Sequence, residues 1–190
     1  MKIALFVEGS SDRDSLSILA RRVRAGVGVV SRVLSRGDLL NPQKVLVYVR
    51  EDILPQHRDT TKIILCVDWE CTQESEASRI VKPLQAELNR IQRRPPAFYC
   101  SVIHATESWL AADEGGLCKY LNKSRVASSA IRRVRDACRP KPAMTSLFRT
   151  QGREFSNVRD NPRLAEILNP QEMIKNSTSF ARFARLIEDP

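Results

Sequence analysis

The chain has 190 residues, 42% of them hydrophobic and 28% charged, with a formal net charge of +9. That mixture is globular, long enough for one domain with a real core, and it excludes the disordered and fibrous classes. No apolar run approaches the roughly 20 residues that cross a bilayer. The apolar stretch after Lys2 is too short for a signal peptide, so the expected compartment is the cytoplasm.

Residues 2–7 read as a short buried strand that runs into Glu8-Gly9. A helix is expected from about Ser11, with Leu16, Leu19, Ala20 and Val23 on one face, Ser10 or Ser11 as N-cap, and Asp12 and Asp14 in the first turn. Residues 27–34 read as a second strand and Arg36-Gly37-Asp38 as a turn. Asn41-Pro42 has the form of an N-cap followed by proline at the first helical position. Val45, Leu46, Val49 and Ile53 continue at helical spacing, although 44–49 also fits a strand, and Pro55 is expected to close the element. Residues 61–67 form the clearest strand, uninterrupted and apolar as buried parallel strands are, and lead straight into Asp68-Trp69-Glu70. Residues 74–94 follow as a helix with Ile80, Leu84, Leu88 and Ile91 as its apolar stripe; Pro83 must kink it or lie in its first turn. Residues 97–103 read as a fourth strand, and His104 to Asp113 as a strand end leading into a short helix with Thr106 as cap.

After Gly115-Gly116 only helices are expected. Residues 124–139 carry Ala127, Ile131, Val134 and Cys138 inward, and Arg125, Arg132, Arg135 and Arg139 on another face. Arg139-Pro-Lys-Pro142 reads as a linker-like break and 143–160 as poorly patterned, with Gly152 in a basic loop. Short helices are expected at 162–168 and 178–187, the latter with Phe180, Phe183, Ala184 and Ile187 on one side. The alternation of the first 110 or so residues predicts an α/β fold: an open, mainly parallel sheet of about four strands with flanking helices over 1–113. A basic, all-helical extension packed on that core is expected over 114–190.

Five cysteines without a C-x-x-C pair argue against a disulfide framework or a zinc site, and two histidines rule out a multi-histidine centre. Cys66 and Cys100 read as small buried hydrophobes. Residues 114–190 hold 15 of the 31 Lys/Arg but only 8 of the 22 Asp/Glu. That positive field suits a polyanion, or only solubility.

Parallel strands deliver Glu8, Asp12, Asp68, Glu70 and Glu107 to one edge of such a sheet, with Asp113 one turn further. Clustered carboxylates repel and shift each other's pKa, so folds keep them mainly where a cation or a proton resolves the conflict. Asp68 and Glu70, two apart, can bracket a hard cation, and oxygen-only donors favour Mg²⁺ or Mn²⁺. The bland reading stands beside this one. Asp12 and Glu107 are also what first-turn helix acids look like, and a lone His104 is usually a hydrogen-bonded structural group. Trp69 is expected to pack under the strand end in preference to stacking on a base. The arginines from Arg125 to Arg139 form either a phosphate track or a solvated face; the further Lys/Arg of 139–163 favour the track, with Arg125, Arg132, Arg135, Arg139, Lys141 and Arg153 as nucleic-acid contacts.

Val7-Glu8-Gly9-x-x-Asp12 after strand one and Asp68-x-Glu70 after a later strand resemble the TOPRIM fold of topoisomerases, primases and related nucleases. The resemblance implies Glu8 as acid-base residue and Asp68 and Glu70 as Mg²⁺ ligands. Asp12 resembles the additional acid of overcoming-lysogenization-type TOPRIM nucleases. Glu107-Ser-Trp-Leu-Ala-Ala-Asp113 and the terminal Ser-Phe-Ala-Arg-Phe further resemble a bacterial TOPRIM-related branch, some members of which accompany ATPases in anti-phage modules. Glu70 stands where that family usually has Asp, one methylene shorter. The expectation is a Mg²⁺- or Mn²⁺-dependent nuclease with Glu8, Asp12 and Glu107 as catalytic residues and Asp68, Glu70 and Glu8 as metal ligands. Its partners would be nucleic acid and an ATPase. The alternative is a non-catalytic nucleic-acid or ATPase-partner module that retains the fold. A phospho-accepting receiver domain fits less well, lacking an acid pair after strand one.

Overall fold

The fold is described from a computed structural model for residues 1–92 and 94–189. Four strands, β1 (Lys2–Val7), β2 (Gly28–Val33), β3 (Thr60–Trp69) and β4 (Ala97–Ile103), form one sheet in the order β2-β1-β3-β4. Every pairing is parallel. The predicted α/β class and four-stranded parallel sheet are therefore what the structure has, and a helical C-terminal part follows.

Helices fill the crossovers. α1 (Ser10–Val23) joins β1 to β2; α2 (Arg36–Leu39), α3 (Pro42–Tyr48), a π-helical stretch (Val49–Ile53) and α4 (Leu54–Gln56) join β2 to β3. Pro55 thus sits inside a final turn instead of ending the element. Asn41 caps α3 by accepting from the Gln43 and Lys44 amides, with Pro42 at the first helical position. α5 (Glu74–Ile91) leads to β4 with Pro83 inside it. Arg93, in the expected span of this helix, lies outside the described residues. The inward stripe of α5 is Ala77, Val81, Leu84 and Leu88, buried at its two ends and partly buried between them; Ile80, expected inward, is 38% exposed because it lies one residue off that spacing.

The remaining helices are α6 (Thr106–Leu110), α7 (Glu114–Tyr120), α8 (Ser128–Arg135), α9 (Pro140–Thr150), α10 (Asn157–Ile167), α11 (Pro170–Asn176) and α12 (Thr178–Glu188). Two expectations are corrected. The helix expected over 124–139 shrinks to α8: Val126 is buried ahead of it, and its C-terminal flank is drawn aside where Cys138 meets Cys71. Arg139-Pro-Lys-Pro142 opens α9 where a break was expected. Prolines in a first turn cost nothing, since those amides lack intrahelical acceptors, and Met144, Leu147 and Phe148 supply the buried face. α11 is capped by the Asn169 side chain with Pro170 at its first position, signals present in the sequence.

Alternation along the strands splits the core. Ile3, Leu5, Val7, Ile64, Cys66, Cys100 and Val102 face α1 and the C-terminal helices. Ala4, Phe6, Ile63, Leu65, Val67 and Trp69 face the layer of α2–α5. The C-terminal helices share the first of these cores: α12 packs on β4, α10 on α1, and α8 and α9 on α6. Trp109 anchors that layer: fully buried, it sits edge-on to Phe180 at 5.3 Å and donates from Nε1 to Ser179 Oγ at 2.7 Å. Among the described residues no helix is long and apolar enough to cross a membrane.

Candidate active site at the C-terminal edge of the sheet

β3 is longer than expected and takes Asp68 and Trp69 into the ladder, paired with Val102 and Ile103 of β4. Alternation then sends neighbouring side chains to opposite faces. Trp69 packs into the α2–α5 core, as expected of it, while Asp68 falls on the side of α1 and α6. Those helices carry Asp12 and Glu107.

β1 stops at Val7, and beyond it the side chain of Glu8 takes over. Glu8 Oε1 accepts from the Asp68 amide at 2.9 Å, where a continuing strand would have placed a carbonyl. The same oxygen accepts from Arg36 Nη1 at 3.1 Å. Burial raises the Glu8 carboxyl above its usual range, against the pull of the Asp68 amide and Arg36. A Cβ at Gly9 would lie 2.8 Å from Asp12 Oδ2, so a larger residue there would push the Asp12 carboxylate aside.

Asp68 is the centre of the cluster. Its carboxyl is raised well above the ordinary carboxylate range, first by burial and then by the charges of Asp12, Glu8, Glu107 and Glu70. Asp12 is pushed up to about 6, first by burial; the Thr106 hydroxyl and Lys141 pull it down, and Glu107 and Glu8 push it further up. Glu107 is 5% exposed and accepts from Asn161 Nδ2 at 3.0 Å. Asn157 of the same helix, α10, reaches Ser11 Oγ at 3.2 Å and so ties that helix to the start of α1. Glu70 lies at the rim with its side chain half exposed, 3.9 Å from Arg139 Nε.

Glu8, Arg36, Asp68 and Glu70 line one cavity of about 430 Å³. A larger groove of about 610 Å³ lies along the β4 edge between α5 and α12, away from the acids. The buried side-chain polar atoms left without a hydrogen-bond partner among the described residues are Trp69 Nε1, His104 Nδ1, Asn161 Oδ1 and Thr106 Oγ1, the last lying beside the Asp12 carboxyl but outside hydrogen-bond geometry. All belong to residues at the C-terminal ends of β3 and β4 or on the helices packed beside them. Unsatisfied buried groups are costly and concentrate where a fold serves something besides packing. His104, expected to be a hydrogen-bonded structural group, is in the left-handed region at φ 69° with its Nδ1 unpartnered.

A hard cation suits the donor set, which is oxygen-only and mutually repelling. Among the described residues, however, no three His, Cys, Asp or Glu side chains are already gathered around one point as a metal cage. Two of the acids are engaged by arginines instead: Glu8 by Arg36 and Glu70 by Arg139.

Other expected residues fall outside the cluster or are differently engaged. Asp113 is a structural cap: Oδ1 accepts from the Gly116 amide at 3.0 Å and Oδ2 from the Asn169 amide at 2.7 Å. Arg153 donates to the Tyr120 carbonyl at 2.7 Å and lies over the Tyr120 ring, so its guanidinium is spent on packing. Arg125 precedes α8 and Arg139 follows it, leaving only Arg132 and Arg135 of the expected stripe on one helix, and Arg135 bonds Asp136 at 3.0 Å. Lys141, in the first turn of α9, lowers the pKa of Asp12 from an exposed position.

Two features escaped sequence reasoning. Arg36, read as part of a turn, enters the site because Ser35 caps α2 by accepting from the Asp38 amide at 3.2 Å. Ser35-x-x-Asp38 is close to a capping-box pattern and could have signalled that helix. Cys71 and Cys138 form a disulfide, contrary to expectation, with Cα atoms 4.4 Å apart; the Cys71 amide also donates to the Cys138 carbonyl at 3.2 Å. Cys66 and Cys100 are buried and free, as expected.

No family model matches the chain, and no curated protein matches it. Among solved structures, the C-terminal region of the Xanthomonas campestris pv. campestris OLD protein is similar over 97% of this chain and 96% of that one. The identity is 14% and the TM-score 0.40. A likeness at that level carries neither the fold nor the chemistry, which rest on the chain's own geometry.

Proposed function

We propose that the chain is a divalent-metal-dependent nuclease of TOPRIM type, hydrolysing phosphodiester bonds of DNA or RNA in the cytoplasm. One observation carries the reading: a half-buried Asp68 carboxyl at the sheet edge, with four further acids around it that all raise its pKa. Structural carboxylates are normally paired with cations, whereas a repelling set is kept where a cation or proton will be received.

Asp68, Glu70 and Glu8 would hold Mg²⁺ or Mn²⁺, with Asp12 and Glu107 behind them. A bound cation there supplies Lewis-acid polarisation of the phosphate and an acidified water. The chain's own part is positioning and proton handling. The Asp68 amide fixes the orientation of Glu8, and Asn161 fixes that of Glu107. Asp12, pushed up to about 6, can carry a proton near neutrality. Arg139 and Lys141, both exposed beside the acids, would meet the phosphate backbone in this reading.

A second reading keeps the fold without catalysis, as a nucleic-acid or ATPase-partner module. The arginine contacts to Glu8 and Glu70 favour it, because they relieve part of the charge without a metal. The test is hydrolysis of mixed nucleic acids in Mn²⁺ by wild type, Glu8→Gln and Asp68→Asn, alongside calorimetric metal titration of wild type and Asp68→Ala. The nuclease reading expects Mn²⁺-dependent cleavage lost in both variants and metal binding lost in Asp68→Ala. Metal binding that is absent, or indifferent to Asp68, sinks it.

A further inference from the structure

Among the described residues, Arg36 is the only cation lining the cavity that holds Glu8, Asp68 and Glu70. Its Nη1 donates to Glu8 Oε1 and to the Asp68 backbone carbonyl, and its guanidinium lies over the Trp69 ring at 4.7 Å. Three unrelated groups therefore hold one guanidinium at the mouth of the acid cluster. Yet its side chain is 42% exposed, so it has solvent to swing into. Only one of its nitrogens is engaged by Glu8 or Asp68, which leaves most of the five guanidinium donors free. A residue needed only for packing would be buried and fully bonded; this one is parked.

We propose that Arg36 is a resident counter-cation that occupies Glu8 until a divalent cation displaces it, after which the freed guanidinium grips a phosphate of the nucleic-acid substrate. The inference rests on the metal-dependent reading above. Metal and arginine compete for the same Glu8 oxygen, and like charges cannot share so small a cavity without a cost. Once released, a planar guanidinium matches phosphate geometry in a way an ammonium does not. Trp69 provides the surface against which the guanidinium rests in the metal-free state. Arg36 would thus be a substrate-contacting residue, and a positioning residue for Glu8 before substrate arrives.

The experiment titrates the full chain with MgCl₂ by calorimetry at low salt, comparing wild type with Arg36→Met and Arg36→Lys. Removing a half-exposed, charge-assisted competitor is expected to tighten Mg²⁺ binding about five- to tenfold in Arg36→Met, with Arg36→Lys near wild type; the gap should shrink at high salt. Mg²⁺ should also change tryptophan emission in wild type, and this change should vanish in both Arg36→Met and Trp69→Phe. A labelled phosphorothioate oligonucleotide, which resists cleavage, completes the test by anisotropy. Arg36→Met should bind it about tenfold more weakly than wild type in Mg²⁺ and equally in EDTA. Unchanged or weaker Mg²⁺ binding by Arg36→Met overturns the counter-cation role, and an unchanged oligonucleotide affinity in Mg²⁺ overturns the phosphate role. If wild type binds no Mg²⁺ at all, the nuclease reading falls with the inference. If wild type binds it and Arg36→Met binds it no more tightly, only the inference falls.

Discussion

Asp12→Asn should make the metal-free protein more stable at neutral pH, although it removes an acid from the candidate site. The carboxyl of Asp12 is pushed from the ordinary 3.8 up to about 6, chiefly by burial, with Glu107 and Glu8 adding to the push. A raised acid favours the fold while protonated. Its contribution is fully present below about pH 4 and is lost as the pH climbs through about 6. At 1.36 kcal/mol for each tenfold change, that shift corresponds to about 3 kcal/mol at most, and less where the raised Asp68 shares the burden. Asparagine keeps the size and removes the charge. For a chain of this length each kcal/mol moves the melting temperature by about 2–4 °C. Melts in EDTA should therefore place Asp12→Asn roughly 3–12 °C above wild type at pH 7.5, with the gap closing towards pH 4.5. A variant no more stable than wild type at pH 7.5, or a gap that ignores pH, would refute the reasoning.

Tyr99 donates from its hydroxyl to the Leu39 carbonyl at 2.8 Å, and burial carries its phenol up to about 12. Stability linked to it is complete below about pH 10 and is lost as the pH rises through 12; ultraviolet titration should show a late tyrosine that disappears in Tyr99→Phe. Asp113→Ala strips a cap from α7 and an anchor from Asn169, which should cost about 1–3 kcal/mol in urea melts. Its Mg²⁺ affinity should stay at the wild-type value, since Asp113 is not in the acid cavity; a loss of metal binding would contradict that assignment. Cys71→Ser with Cys138→Ser opens a covalent loop spanning 67 residues and should lower stability by about 4 kcal/mol on the chain-entropy account, matched by wild type in reductant. Equal melts for oxidised and reduced protein would remove the disulfide's structural role.

The strands were legible because a buried parallel strand writes its apolar run directly into the sequence, as residues 61–67 do. So were Glu8, Asp12, Asp68 and Glu107 as residues of one edge, since parallel topology brings strand C-termini together whatever the side chains do. The prolines misled. Pro140 and Pro142 look like breakers, but their effect depends on where a helix begins, and only Met144, Leu147 and Phe148 turning into the core decide that. The disulfide could not be read at all, because Cys71 and Cys138 lie on exposed segments that meet only once α8 has docked. Arg36 was missed for a related reason. A four-residue helix has too few residues for periodicity, and its one audible signal is the Ser35 cap. Asp113 and Arg153 show the converse: a plausible acid and a plausible cation, each taken up by neighbours that the sequence pattern does not identify.

The bond from the Asp68 amide to Glu8 has a meaning beyond architecture. From Ile3 to Phe6 the rungs between β1 and β3 pair backbone with backbone, but the last one depends on an ionisable side chain that a ligand can take away. When Glu8 turns to another cation, the Asp68 amide loses its acceptor while the rest of the ladder stays closed. The exchange rate of that single amide hydrogen therefore works as a built-in gauge of the site: protected while Glu8 is at home, fast when it is engaged elsewhere.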